Sequence, residues 1–144
     1  MASATLCCYA KAAWEIGGVM AEQDERAIAA EIRAAFDAYE AALQTNDVAA
    51  LKGFFWDDPR AMRMTTDGGI YGHAAISDFR RGRDVTDLAR ELTRVEILVL
   101  GPDTGVATAE YRRRASGRCG AQSQVWIRRQ EGWRIAAAHV SLGV

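Results

Sequence analysis

Cysteine and histidine are scarce in this chain. Three cysteines, Cys7, Cys8 and Cys119, and two histidines, His73 and His139, are spread over 144 residues. No Cys-x-x-Cys or Cys/His spacing is present, so nothing marks a zinc site, and the expectation is no metal and no cofactor. Adjacent cysteines do not pair readily with each other, which leaves free thiols and suggests a reducing, cytoplasmic setting. Long apolar runs are also missing, so no segment reads as membrane-spanning. There is no Gly-rich phosphate loop after a strand and no serine in a Gly-x-Ser-x-Gly setting. Neither sign of charge dominates. Eighteen Lys and Arg face nineteen Asp and Glu, and a net charge of −1 gives no field for nucleic acid or an anionic membrane.

What is present is an ordinary globular composition, 49% hydrophobic and 26% charged, in a length that suits one domain. Residues 1–20 lack a basic start, and Lys11 and Glu15 break their apolar runs. They read as an extension without regular structure beyond a loose helical turn, or as a misassigned start ahead of Met20. Residues 21–144 read as the domain.

Ala21 to Gln44 is predicted as a helix, because Ile28, Ile32, Phe36, Tyr39 and Leu43 recur at spacings of four and three. Tyr39 lies on that inward stripe, so its hydroxyl needs a partner or a cavity. Asn46-Asp47 closes this helix and caps a second, Val48 to Phe55. Asp57-Asp58-Pro59 stops it; the two acids fit a solvated loop. Ala61 to Thr66 is a short strand with Arg63 opposite Met62 and Met64. Asp67-Gly68-Gly69 turns into Ile70-Tyr71, and a third helix follows from His73 to Arg83. His73 fits a surface or capping role. Ile76, Phe79, Arg80 and Arg83 share one face of the third helix. Arginines there need solvent, a carboxylate or a bound anion, and snorkelling at the helix end suits Arg83 better than Arg80.

Four long strands complete the chain: Arg90 to Leu100, Val106 to Arg114, Cys119 to Arg129 and Trp133 to Leu142. The last two form a hairpin around Gln130-Glu131-Gly132. Simple alternation puts Trp133, Ile135, Ala137, His139 and Ser141 on one face and Gln124 opposite His139, with a bulge at the turn able to shift this by one residue. The order predicts an α+β fold, a curved antiparallel sheet forming a cone with three helices on its concave face. Tyr39, Arg63, Tyr71, Arg80, Gln124, His139 and Ser141 are the polar groups expected to line the cone. Arginine suits a bidentate carboxylate clamp, and Tyr or His suits proton transfer, so the set fits a small anionic substrate. The row of Val95, Ile97, Val99 and Trp126 is expected on an uncovered sheet face, buried in a homodimer.

NDVAALKGFFWDDPRAMRM, IYGHAAISDFR and SQVWIRRQEGWRIAAAHVSL together resemble the AtzH-like family of the nuclear-transport-factor-2-like (SnoaL-like, cystatin-like cone) superfamily. The likeness runs from about Glu25 to Leu142 and leaves the N-terminal stretch outside. It implies a bacterial protein, often encoded near an amidase, acting in cyanuric acid breakdown by removing carbon dioxide from dicarboxyurea to give allophanate. It also implies that Tyr39 and Arg63 are the essential pair. On that reading Arg63 and Arg80 hold the carboxylates, Tyr39 serves the departing nitrogen, and Trp56, Tyr71, Gln124, His139 and Ser141 line the substrate. Two alternatives stay open: a non-catalytic carboxylate-binding or amidase-associated module, and an isomerase-like or dehydratase-like enzyme of the same shell. The latter needs an inward acid, and Glu96 or Glu110 could supply one only by facing the cone.

Overall fold

The computed structural model describes residues 6–143, with side chains described from residue 22 onward. Residues 1–5 of the expected extension lie outside the described residues. Helix α1 spans Leu6–Gln44, so it begins before the Ala21 expected from its apolar stripe. α2 is Val48–Phe54, and Asp47 caps it by accepting a hydrogen bond from the Ala50 amide at 3.0 Å. The chain passes between the two helices through Asn46 at φ 49°, a left-handed turn that Asn tolerates better than most residues. Strands β1 (Met62–Thr65) and β2 (Gly68–Tyr71) precede α3 (His73–Gly82). Then come β3 (Arg90–Gly101), β4 (Thr104–Arg113), β5 (Cys119–Arg129) and β6 (Gly132–Leu142).

The six strands make one sheet in the order β2-β1-β6-β5-β4-β3. It is α+β, curved and unclosed, with the helices over its concave face. The join of β1 to β6 is parallel, whereas a fully antiparallel sheet was expected. Four of the helix-stripe residues, Ile32, Phe36, Tyr39 and Leu43, are buried with Leu51, Phe55, Ile76, Trp126 and Ile135 to form the core. Burial of such side chains contributes about 1.5–3 kcal/mol each before chain entropy is counted.

Two irregularities shape the concave face. In β3 the pairing steps from Leu92↔Tyr111 to Arg94↔Glu110, leaving Thr93 extra. Arg90 and Leu92 therefore face inward before the bulge, and Val95 and Ile97 after it. In β6 the pairing steps from Trp126↔Ile135 to Val125↔Ala137, leaving Ala136 extra. A bulge inverts the alternation beyond it and bends the strand. Trp133, Ile135 and Ala138 are buried, while His139 is exposed.

The bulges correct two expectations. Gln124 pairs with Ala138, and His139 sits opposite Ser123 on the outer face. The shift expected of a bulge at Gly132 occurs instead at Ala136. The row meant for a dimer is also misplaced: Trp126 is fully buried and Val95 and Ile97 pack against the core, so they belong to the inner face.

Candidate active site

Side chains brought to the concave face by four elements form the site. α1 supplies Tyr39, β1 supplies Arg63, α3 supplies Arg80 and β5 supplies Gln124, and all four are buried. Arg63, Ala138, Gln124, Ala107 and Ile97 lie in one register row across β1, β6, β5, β4 and β3. Strands are spaced about 4.8 Å apart, so Arg63 and Gln124 are separated by roughly two strand spacings with only an alanine between. Ala138 and Ala107, the row neighbours of Gln124, carry only methyl groups. Tyr39 reaches the same face from the helical side through Phe54, which meets both Tyr39 and Trp126 edge-on, and Arg80 is bonded to Tyr39.

Arg80 is 2% exposed. Its Nη2–H donates to Tyr39 Oη at 2.7 Å, and its guanidinium lies 5.7 Å from the Phe55 ring. Arg63 is stacked on Phe79 at 4.5 Å. Among the described residues neither guanidinium has a carboxylate partner, and Nε and Nη1 of both are buried without a hydrogen-bond acceptor. Burial and the neighbouring Arg80 charge depress the Arg63 pKa to about 10. Burial alone would raise the Tyr39 pKa, but the Arg80 and Arg90 charges and the Arg80 hydrogen bond more than offset it, so the phenol titrates below its ordinary value.

The nearby acid is already committed. Glu40 is buried and bound by Arg90, with Nε donating at 3.1 Å, and by Gln122 Nε2 at 3.1 Å. Arg90 stacks on Tyr111 at 4.3 Å. Glu96 and Glu110 are exposed on the outer face, so neither provides an inward acid. The free polar groups of the concave face are therefore donors: two arginines, the Gln124 amide nitrogen, and the Tyr39 hydroxyl hydrogen left over once its oxygen accepts from Arg80.

Arg63 also lines a cleft of about 180 Å³ with Thr65, Phe79, Tyr111, Arg113 and Ser141. It is thus the shared wall between the concave interior and the surface. Ser141 borders this cleft, and its carbonyl accepts from Tyr111 Oη at 2.8 Å. Its hydroxyl turns to the Ala121 carbonyl at 3.4 Å.

Three expected lining residues lie elsewhere, and a fourth, Ser141, meets only the surface cleft beside Arg63. His139 faces outward because of the Ala136 bulge, and the Ser141 hydroxyl follows the same inverted alternation. Tyr71 is 65% exposed, because its neighbour Ile70 takes the inward position beside Arg63. Trp56 is held at the surface between Arg60 at 4.6 Å and Arg129 at 4.5 Å. His73, expected at the surface, is 9% exposed, with Nε2 3.0 Å from the Lys52 carbonyl and Nδ1 3.0 Å from the Asp57 carboxylate. Arg83 is half-buried and donates to Asn46 Oδ1 at 2.8 Å. The buried Glu40–Arg90–Gln122 cluster was not foreseen. Glu40 is the only ionisable neighbour of Tyr39 in sequence, and that adjacency was the available signal.

The AtzH-like family model matches residues 21–143. The chain belongs to the AtzH-like family. A protein of unknown function from Pectobacterium atrosepticum is 42% identical, with a TM-score of 0.77 over 81% of this chain and 91% of that one. A cystatin-like fold protein from Burkholderia xenovorans is 35% identical, with a TM-score of 0.74 over 80% of this chain and 91% of that one. At 23% identity, a nuclear transport factor 2-like protein with a cystatin-like fold from Novosphingobium aromaticivorans shares the fold, with a TM-score of 0.64 over 88% of this chain and 87% of that one. No curated protein matches the chain. AtzH-like membership and this cone are compatible with a small-molecule enzyme. Among the described residues, no helix is long and apolar enough to cross a membrane, and no cluster of three or more His, Cys, Asp or Glu is placed to hold a metal ion.

Proposed function

We propose that this protein binds a small dicarboxylate in the cone and decarboxylates it, with dicarboxyurea as substrate and allophanate as product. The observation that supports this reading most directly is the pair of buried guanidiniums, Arg63 and Arg80, with no carboxylate among the described residues paired to either. A buried unpaired cation is costly, and a dianionic ligand removes the cost.

The chemistry follows from the donors. Arg63 and Arg80 hold the two carboxylates. Tyr39 Oη accepts from Arg80, so its own hydrogen is free to point at the substrate nitrogen. Transfer of that proton to nitrogen makes it a leaving group. The carbon–nitrogen bond then breaks, its electron pair stays on nitrogen, and carbon dioxide departs. Solvent returns the proton to Tyr39. The Phe55 ring beside Arg80 and the Phe79 ring beside Arg63 offer a bound carboxylate an apolar surround in place of water. The test is carbon dioxide release from dicarboxyurea above its spontaneous rate. Tyr39→Phe should slow it about 10²-fold or more, and Arg63→Ala should abolish it. Full turnover by both variants would overturn the reading. A non-catalytic module would bind dicarboxylates through the same arginines and release no carbon dioxide.

The protein in this reading is a homodimer through the sheet, by a different row from the one expected. Met62, Ala137, Val125, Val106 and Leu98 pair in succession across β1, β6, β5, β4 and β3 on the outer face. Met62 is 41% and Leu98 58% exposed. A continuous apolar row of that kind suits a second copy of the same surface. Association with an amidase belongs to the same proposal, and co-purification of the two proteins would test it.

A further inference from the structure

Gln124 is 1% exposed. Its Oε1 accepts from Trp126 Nε1–H at 3.2 Å. Indole nitrogen is a donor only, so this contact decides which way round the amide sits. The NH₂ end then has no acceptor among the described residues, although it is fully buried. Trp126 cannot swing away to release the amide, because it is 0% exposed and packed edge-on against Phe54 at 6.4 Å between ring centres. Phe54 in turn meets Tyr39 edge-on at 5.8 Å. A buried N–H without a partner is costly, so a fixed one flanked in its row by alanines is matched to a ligand acceptor.

We infer that Gln124, oriented by Trp126, determines specificity by donating to an uncharged carbonyl oxygen of the ligand while Arg63 and Arg80 take its two carboxylates. The placement supports this division. Arg63 and Gln124 stand in one row with Ala138 between them, so a ligand carboxylate on Arg63 puts its next carbonyl over Ala138, within reach of the amide. An amide N–H donates to a neutral carbonyl without adding charge, which is what a centre already holding two cations requires. A dicarboxylate with a methylene in place of the carbonyl leaves the Gln124 N–H unpaired and is disfavoured. Gln124 is in this scheme a ligand-contacting residue, and Trp126 is a positioning residue.

The inference rests on the dicarboxylate reading, and one pair of probes separates the two. Acetonedicarboxylate carries a carbonyl midway between its carboxylates, and glutarate has a methylene there. Titration calorimetry on the wild-type protein should give about tenfold tighter binding of acetonedicarboxylate, as one buried hydrogen bond is worth. Gln124→Met should bring the two affinities together. Gln124→Glu keeps an oxygen for Trp126 but removes the donor; both probes weaken and the preference is lost or reversed. Trp126→Phe should reduce the preference while Gln124 remains, a result that simple loosening of the core does not give, since the ratio cancels effects common to both probes. Equal wild-type binding of the two, or a preference that survives Gln124→Met, would overturn the role of Gln124 and leave the dicarboxylate reading standing. Failure of both probes to bind, with Arg63→Ala indistinguishable from wild type, would overturn the dicarboxylate reading and this inference with it.

Discussion

Arg80 Nη2 donates to Tyr39 Oη at 2.7 Å across 41 residues of sequence, inside a site where both groups are buried. The bond stabilises the phenolate relative to the phenol and frees the phenol hydrogen for the ligand. Tyr39 has its pKa lowered, so as a proton donor it fails above that value. Decarboxylation should therefore fall as pH rises through the lowered Tyr39 pKa, at a pH below the usual phenol value of about 10. Arg80→Met removes the largest lowering influence, so the alkaline limb should move up while binding weakens. Rate against pH, followed beside phenolate absorbance, checks this. A limb that stays in place in Arg80→Met would sink the assignment.

Arg63 trades stability for binding. It is 7% exposed, with Nε and Nη1 unpartnered, and burial with the Arg80 charge holds its pKa down at about 10. Stacking on Phe79 compensates only in part. Arg63→Met keeps the packing volume and removes the unpaired charge, so the ligand-free protein should melt at a higher temperature, by about 1 kcal/mol at the midpoint. The stabilisation that acetonedicarboxylate gives the wild type should vanish in the same variant. Thermal melts with and without that ligand measure both effects. A marked loss of stability in Arg63→Met would show that Arg63 is a structural rather than a functional cation.

How much of this was legible beforehand depends on which periodicity each residue obeys. Tyr39, Arg63 and Arg80 sit on regular elements, and the 3.6- and 2-residue repeats place them inward without any knowledge of the fold. Gln124 was placed on the right face, but its partner was misjudged, because pairing across β5 and β6 depends on the Ala136 bulge. Three successive alanines, Ala136 to Ala138, carry no hydrophobic pattern that could show where alternation breaks, and His139 and Ser141 were misplaced as a result. Tyr71 was misassigned because Ile70 and Tyr71 are both strand formers and a four-residue strand has too little alternation to choose between them. Val95 lies on the other face from the one expected because Thr93 hides a second bulge, whereas Trp126 simply shares the inward parity of Gln124, which apolar residues on both sides of the curved sheet obscure.

The outer row should set the oligomeric state. Val125 is half-buried at the centre of Met62–Ala137–Val125–Val106–Leu98, and its side chain takes no part in the concave site. Val125→Asp places a charge in the middle of that row, with Leu98→Glu as a second variant at its end. Both should shift sedimentation from dimer to monomer while far-ultraviolet circular dichroism stays native. Wild-type protein that sediments only as a monomer would refute the dimer.

Glu40 and Arg90 should be coupled to Tyr39 as well as to stability. The pair is buried, with Arg90 Nε donating to Glu40 at 3.1 Å and Gln122 satisfying both partners, and it stacks on Tyr111. Removing one member leaves an uncompensated buried charge, so Arg90→Met should cost about 3–5 kcal/mol in a denaturant melt. The double variant Glu40→Leu with Arg90→Met should recover much of that loss, because neither charge remains. The two single changes should move the Tyr39 phenol in opposite directions. Arg90 lowers its pKa and Glu40 raises it, so Arg90→Met moves ionisation to higher pH and Glu40→Gln moves it lower. Both groups act through the field they set at the hydroxyl. A purely structural pair would shift the melts and leave the phenolate titration where it is, and that outcome would remove Glu40 and Arg90 from the chemistry of the site.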